Sequence, residues 1–418
     1  MVDLAERTTA DEVPAGYRMT ELGVLPEDWQ VVPLGDVCVL QRGNDLPKEQ
    51  RRDGSYPVIG SNGIAGHHAV FVDEGPGVLV GRSGSVVKVT WVDDNYWPLN
   101  TALWVKDFCG NDRRFVYYLL CSMNLAKYAA GVSVPTLNRN LVHPVAVALP
   151  PLPEQRAIAQ VLSTVQRARE ATEAVIAATR ELKRSLMRHL FTYGPVPLDQ
   201  VAGAPLKETE IGLVPEDWDV RPIGEMFEVQ LGKMLSPKAR AGLNPVPYLR
   251  NQDVRWGSIN VTKLPLMDFD ERESQKFDLR NGDVLVCEGG EIGRTAVWHG
   301  KLEPCCYQKA IHRLRSRYDD VDPHFFAYYM MHAFLLTKLY GDTGTTTTIA
   351  HLPAVKLRSL PMPVPPLSAQ RDISWTLLAT DAKLRAEVET LQAISTVHEV
   401  LSAHLISGRI RMSKQGLT

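Results

Sequence analysis

The chain opens the same way twice. Thr20–Val37 reads TELGVLPEDWQVVPLGDV, and Thr209–Met226 reads TEIGLVPEDWDVRPIGEM, with a constant offset of 189 and ten of eighteen positions identical. The likeness continues downstream. VLVGRSGSVVK (Val78–Lys88) matches VLVCEGGEIGR (Val284–Arg294), VYYLL (Val116–Leu120) matches AYYMM (Ala327–Met331), and PPLPEQRAI (Pro150–Ile158) matches PPLSAQRDI (Pro365–Ile373). The offset drifts from 189 to 206 to 215, so the second copy carries insertions inside its globular part. A repeat of this length is too long for a solenoid unit. The chain must fold as two related modules, and two divergent copies suggest one task performed on two different targets.

Each module has two textures. The first part alternates short apolar runs (VFV, GVLVGR, VKVTWV) with Gly, Asn, Asp and Pro clusters, which predicts a β-rich domain. Pro26 with Trp29, and Pro215 with Trp218, open the two copies, and each Trp is expected to pack in its own core rather than to stack on a base. The second part changes period. From Glu154 to Thr192 there is neither Pro nor Gly, and strong helix formers dominate. Ile158, Val161, Val165, Ala168, Thr172, Val175, Thr179, Leu182 and Leu186 follow a 3–4 alternation, the pattern of a coiled-coil seam. The second copy has its counterpart from Ala369 to Ile406, with Ile373, Leu377, Leu384, Leu391, Leu401 and Leu405 on the stripe and Gly408 as a stop. A long helix with one narrow apolar stripe is not stable alone. The two helices are expected to pair, with Ile158, Val165, Leu182, Leu186, Leu377, Leu384 and Leu391 as helix–helix or partner-docking positions. The predicted class is α+β. The boundaries are an N-terminal arm (1–19, expected to be partly disordered), a first β-rich domain (20–150), a helix (151–192), a linker (193–208), a second β-rich domain (209–364), a second helix (365–407) and a tail (408–418).

Several chemistries find no support. A G-x-x-x-x-G-K-[ST] phosphate loop does not occur. Asn244-Pro245-Val246-Pro247-Tyr248 has the wrong spacing for an adenine-methyltransferase motif and reads as the start of a strand. Gly289, Gly290 and Gly293 mark a turn rather than a dinucleotide site. His67, His68 and His143 lack partners at metal-ligand spacing and suit surface or capping roles. The six cysteines (38, 109, 121, 287, 305 and 306) form no C-x-x-C pair and read as thiols of a reducing compartment. With no bilayer-length apolar run and no apolar leader, the expected location is the cytoplasm.

The net charge of −2 does not favour nucleic acid, so any DNA-binding surface must be local. DNA contact needs cations for phosphates and planar polar groups for base edges. The first copy offers Arg42, Asn44, Arg51, Arg52, Asn62, Arg82, Ser83 and Lys88. The second offers Lys233, Arg250, Asn251, Gln252, Glu288, Arg294, Gln308 and Lys309. Arg313, Arg315 and Arg317 alternate, which on a strand would place all three on one face. Arg82 and Glu288 fill equivalent positions yet differ in charge. An arginine can read guanine, whereas a glutamate accepts from cytosine N4.

The repeated P-x-x-W opening, the G-R-S-G-S loop, the P-P-L-P-E-Q-R helix start, LKRSLMRHLF (Leu182–Phe191) and LSAHLISGRI (Leu401–Ile410) together resemble type I restriction–modification specificity subunits. The resemblance runs from about Thr20 to Ile410; Ser368-Ala369 departs from Pro153-Glu154 at the second helix start, and no counterpart of 1–19 is evident. It implies two target recognition domains, each reading half of a bipartite site in double-stranded DNA. It also implies two helices that pair as an antiparallel coiled coil, set the spacer and dock two modification subunits. On this reading the chain is non-catalytic and binds no cofactor. S-adenosylmethionine would belong to the modification subunits, and ATP and Mg to restriction subunits where these join. Two other readings stand beside it: a two-headed protein-interaction scaffold without DNA specificity, and a stand-alone DNA enzyme.

Overall fold

The computed structural model describes residues 13–83, 88–130, 135–236, 239, 242–340 and 351–412. The chain divides into two units, 1–173 with 389–418, and 174–388. Each therefore takes a β-rich domain, part of the helix that joins the copies, and part of the other long helix.

The repeat is visible strand by strand. In the first unit an antiparallel sheet runs in the order Val39–Arg42, Ala102–Asp107, Gly77–Gly81, Val89–Val92. The second unit repeats that order with Phe227–Leu231, Ile311–Ser316, Val284–Cys287 and Thr295–Val297. A smaller sheet recurs too: Tyr56–Gly60 pairs antiparallel with Gly63–His68 and parallel with Trp97–Pro98. Its counterpart sets Pro245–Leu249 against Leu266–Asp268 and Cys306–Tyr307. The Asn244–Tyr248 segment is thus the start of a strand. The hairpin Val254–Arg255/Ser258–Ile259 and the helix Glu271–Phe277 lie where the offset first drifts.

The first unit's opening hairpin pairs Tyr17–Thr20 with Gly23–Pro26, and Leu206–Thr209 with Gly212–Pro215 repeats it. Residues 17–19 therefore do have a counterpart in the second copy, at 206–208. Both stretches sit in a strand, where the sequence suggests an arm and a linker. The signal is weak because these strands are four residues long and half-exposed. Residues 1–12 lie outside the described residues.

Four helices frame the two domains: α1 (Arg113–Ser122), α2 (Leu152–Tyr193), α3 (Pro323–Met331) and α4 (Leu367–Ile406). Asp112 caps α1 by accepting from Phe115 N, and Asp322 caps α3 by accepting from Phe325 N. These matched caps place Tyr118 opposite Tyr328, one residue from the pairing that the apolar runs suggest.

The glutamine shared by the two helix starts is a joint. Gln155 accepts from Asp112 N and donates to Pro150 O and Asn111 Oδ1. Gln370 accepts from Asp322 N and donates to Pro365 O and Asp320 O. One buried amide thus locks the last strand, the cap of the short helix and the long helix together. The far end of each long helix stops at a glycine with positive φ, Gly194 (+76°) and Gly408 (+69°). A Cβ on Gly408 would stand 2.8 Å from Pro26 Cδ and 3.2 Å from Trp29, and one on Gly194 would stand 3.3 Å from Trp218. The helix ends close on the buried tryptophans Trp29 and Trp218, which are core residues as expected.

Within each unit the two long helices run antiparallel. In the first, Ile158 and Leu162 share a core with Leu405 and Ile406, while Arg169 lies near His398. In the second, Lys183 pairs with Asp381 at 2.6 Å. Their facing stripe departs from the apolar alternation in places. Ile158, Val165, Leu186, Leu377, Leu384 and Leu391 are buried or half-buried, but Leu182 is 54% exposed. Leu162, Ile176 and Met187 are more deeply buried than their neighbours Val161, Val175 and Leu186, which the alternation selects. Leu182 therefore takes no part in helix pairing. Hydrophobicity misleads there because the inward position belongs to Lys183, which buries its stem and neutralises its charge against Asp381.

A half-buried histidine adds to the pH dependence of the second unit. His332 packs 5.0 Å from Phe191, and burial, with Arg188 adding to it, pushes its pKa down to about 4. In the unfolded chain it protonates near ~6.5. Between these values the unfolded state binds more protons, so stability falls as pH drops from about 6.5 toward 4, by up to about 1.4 kcal/mol per unit. The melting temperature of wild type is expected to fall over this range, and His332→Phe to weaken the dependence, with a remainder from His299, His312 and His324, whose pKa values burial also lowers.

Candidate nucleic-acid interface

In the first unit the strand end at Arg42, Arg82 just past the strand Gly77–Gly81 and the short helix Arg139–Val142 enclose an open cleft. Its polar lining is Gln41, Arg42, Arg82, Thr136, Asn138 and Arg139, over a floor of Leu103 and Leu137. Arg82 is held by its backbone: its N donates to Thr101 O and its O accepts from Leu137 N. Its guanidinium reaches Asn100 O at 3.3 Å and keeps donors to spare. Ser83 N bonds Thr101 O, and Asn44, exposed, exchanges backbone bonds with Pro98 and Asn100. Arg42 is exposed and among the described residues meets Asp45 at 3.9 Å, a pairing that costs little to exchange for a phosphate. A second cleft carries Asn62 and Lys88, whose Nζ donates to Asn62 O at 3.3 Å. The first unit thus brings Arg42, Arg82 and Ser83 together, and separately Asn62 and Lys88. Arg51 is committed to Ala65 O at 2.7 Å. Gly84 and Ser85 of the same loop lie outside the described residues.

The second unit corrects more of the sequence reading. Lys233 is tied to Glu273 at 2.6 Å and to Asp268 O, so its charge is spent inside the domain. Arg250 forms a two-pronged pair with Asp253, both bonds 2.8 Å, and the hydrogen bonds to that carboxylate raise its pKa. Arg294 donates to Asn251 O and Cys287 Sγ, bracing a loop. Arg313 and Arg315 share a strand face as the alternation required, but that face is internal. Arg313 meets Glu228 and Asp278, and Arg315 meets Asp283 at 2.7 Å. Alternation reveals a shared face, not whether acids from other strands line it. Gln252 and Lys309 are exposed and Gln308 is half-buried. Gln252 shares a cleft with Arg250, Arg255, Asn260, Thr262 and Lys263. Asn251 and Glu288 meet at the Gly289 peptide, where Asn251 Nδ2 donates to Gly289 O at 2.9 Å.

Sequence reasoning misses Gln41, Asn138 and Arg139 in the first unit, and Arg255, Asn260 and Lys263 in the second. The run Asn138-Arg139-Asn140 is a usable signal, since three planar polar side chains sit together at the capped start of a short helix. The histidines cap: His143 Nε2 accepts from Leu40 N, His68 Nδ1 accepts from Arg52 N, and burial lowers the His143 pKa, keeping that ring neutral. The cysteines are unpaired, and burial pushes Cys38, Cys305 and Cys306 up to about 12. Among the described residues, no helix is long and apolar enough to cross a membrane.

A family model described as "Type I restriction modification DNA specificity domain" matches residues 26–178 and again 215–396. The chain belongs to this family. Its two copies of the domain coincide with the two halves of the internal repeat. Among similar proteins is the type I restriction enzyme MjaVIII specificity subunit of Methanocaldococcus jannaschii, 24% identical, covering 93% of this chain and 94% of that one. The EcoKI specificity subunit of Escherichia coli is 22% identical over 84% of this chain and 82% of that one. The crystal structure of a type I restriction–modification S subunit from M. genitalium superposes with a TM-score of 0.63 at 17% identity, covering 92% of this chain and 97% of that one. A chain from a study titled for complex assembly and conformational transition of the type I R-M system gives 0.53 at 18% identity, over 92% and 99%. The last two likenesses speak to fold. In this chain the specificity family's repeated domain is the sheet-plus-helix module, and the two copies carry unlike charges at the Arg82 and Glu288 loops.

Proposed function

We propose that this chain is the sequence-recognition subunit of a type I restriction–modification complex, with each β-rich domain reading one half of a bipartite site in double-stranded DNA. The observation that carries the reading is the duplicated DNA specificity domain, with matched topology and unlike polar side chains at equivalent loops. A common scaffold with different contact chemistry is what two readers of different sequences require. Modification subunits dock on the long helices, and the chain itself does not catalyse. S-adenosylmethionine acts in those subunits, and ATP and Mg act in restriction subunits where these join. The near-neutral net charge makes DNA contact local: the first unit offers the clefts around Arg42 and Arg82 and around Lys88, and the second offers the cleft around Gln252 and Lys263, the exposed Lys309 and the Glu288 loop.

The test is a map of modified adenines in cells expressing the chain with its modification subunit. The expected product is a split motif with a fixed spacer, lost on deletion of the chain. Inserting seven residues in α2 and the matching seven in α4 lengthens each helix by about 10.5 Å, close to about three base pairs, and is expected to lengthen the spacer correspondingly. A methylome indifferent to the chain, with an active partner, favours the protein scaffold instead. DNA binding by the purified complex should also weaken steeply with salt, which a scaffold has no reason to do.

A further inference from the structure

Buried polar atoms in folded proteins almost always have a partner, and an orphan calls for a missing ligand or another specific cause. In the second unit, two orphan acceptors flank one peptide: Glu288 Oε2 and Asn251 Oδ1. Asn251 has its nitrogen committed to Gly289 O, which leaves the amide oxygen unpaired. Glu288, 8% exposed, is fixed by its backbone, whose N donates to Ala310 O and whose O accepts from Leu352 N. Among the described residues Glu288 forms no ion pair. The nearby Arg294 gives one terminal nitrogen to Asn251 O and Cys287 Sγ and the other to Glu291 at 3.6 Å, and its Nε is unpaired as well. His312, the titratable neighbour, is bonded through Nε2 to Leu352 O, and burial lowers its pKa. Gly290, two residues after Glu288, is exposed with φ +74°. A Cβ there would stand 3.1 Å from Asn251 Nδ2, so only glycine suits both the backbone and the close approach of that amide.

The equivalent position of the first unit carries the opposite chemistry. Arg82 O accepts from Leu137 N at 2.8 Å as Glu288 O accepts from Leu352 N at 2.7 Å, so the same backbone bond presents a donor in one copy and an acceptor in the other. Two unpaired acceptors call for a donor. The donors on base edges in the major groove are the exocyclic amino groups of adenine N6 and cytosine N4. We propose that Glu288 and Asn251 form a subsite for one exocyclic base amino group in the second half-site, while Arg82 takes an acceptor edge in the first. This rests on the proposed DNA-recognition function and names the atoms that perform it.

The experiment uses the full-length chain assembled with its modification subunit, and duplexes carrying its mapped site. In a series, each adenine or cytosine of the second half-site is replaced by the analogue lacking the amino group. At one position the wild type is expected to lose about 5- to 150-fold in affinity, the value of a good base-edge contact. The Glu288→Ala variant should lose less than about twofold there, and Asn251→Ala, at the surface edge, should show the same position-specific insensitivity. Which base responds decides between adenine and cytosine. If both variants respond to every amino deletion as the wild type does, while all three prefer the site over scrambled DNA, the subsite is wrong and DNA recognition stands. If the wild type shows no preference for its site, both readings fall.

Discussion

Trp29→Ala is expected to destabilise the first unit by about 3–5 kcal/mol, among the largest effects of any single substitution in the chain. Trp29 is fully buried and closes the core against Leu25, Leu405 and Gly408. Its indole donates to Glu154 Oε2 at 2.9 Å, and Glu154 also receives Arg411 through bonds of 2.9 and 3.0 Å. Arg411 in turn meets Asp28 at 2.8 Å. Truncating the ring removes packing and leaves a cavity at the place where an early loop, the start of α2 and the residues after α4 meet. Urea denaturation monitored by circular dichroism measures it. Arg411→Ala should cost less packing but strand the Glu154 carboxylate, 6% exposed, with the indole as its one remaining side-chain partner among the described residues. A loss below about 1 kcal/mol for Trp29→Ala would mean that the unit is not closed by this network. The second copy has Ala369 where Glu154 stands, so the network is a property of the first unit alone.

Lys183→Met is expected to cost the second unit about 3 kcal/mol. Lys183 and Asp381 are 15% and 17% exposed, and Tyr328 donates its hydroxyl to the same carboxylate at 2.7 Å. Removing the ammonium leaves a nearly buried carboxylate with one neutral donor, the costly way to break such a pair. Lys183→Met with Asp381→Leu should recover most of the loss, because an apolar pair suits a helix seam, although the Tyr328 hydroxyl then lacks its acceptor. Denaturation of the two variants side by side decides it. Equal destabilisation of the single and double variants would show that packing, not the buried charge, sets the cost.

The range of each interaction decides how much of this was legible. The doubled P-x-x-W opening, the change of period after Pro153 and the glycines at 194 and 408 are local signals. They fixed two β-rich domains, two long helices and where those helices stop. Backbone geometry and periodicity act over a few residues, so a sequence displays them. The contact chemistry was legible only as a set of residue types. Arg82 and Glu288 stood out because the repeat supplied an internal comparison, whereas Lys233, Arg250, Arg294, Arg313 and Arg315 looked the same as free cations.

Only tertiary structure could separate them. Lys233 is neutralised by Glu273, at a separation of 40 positions, and Glu154 by Arg411, at a separation of 257. Likewise, a seven-residue period allowed either Leu182 or Lys183 to face inward, and Asp381 on the other helix decided for the lysine. The sequence by itself determined the two modules and their helices, because those depend on near neighbours. The tertiary structure decided which charges are spent and which face the solvent, because a charge is settled by whatever acid the fold carries to it.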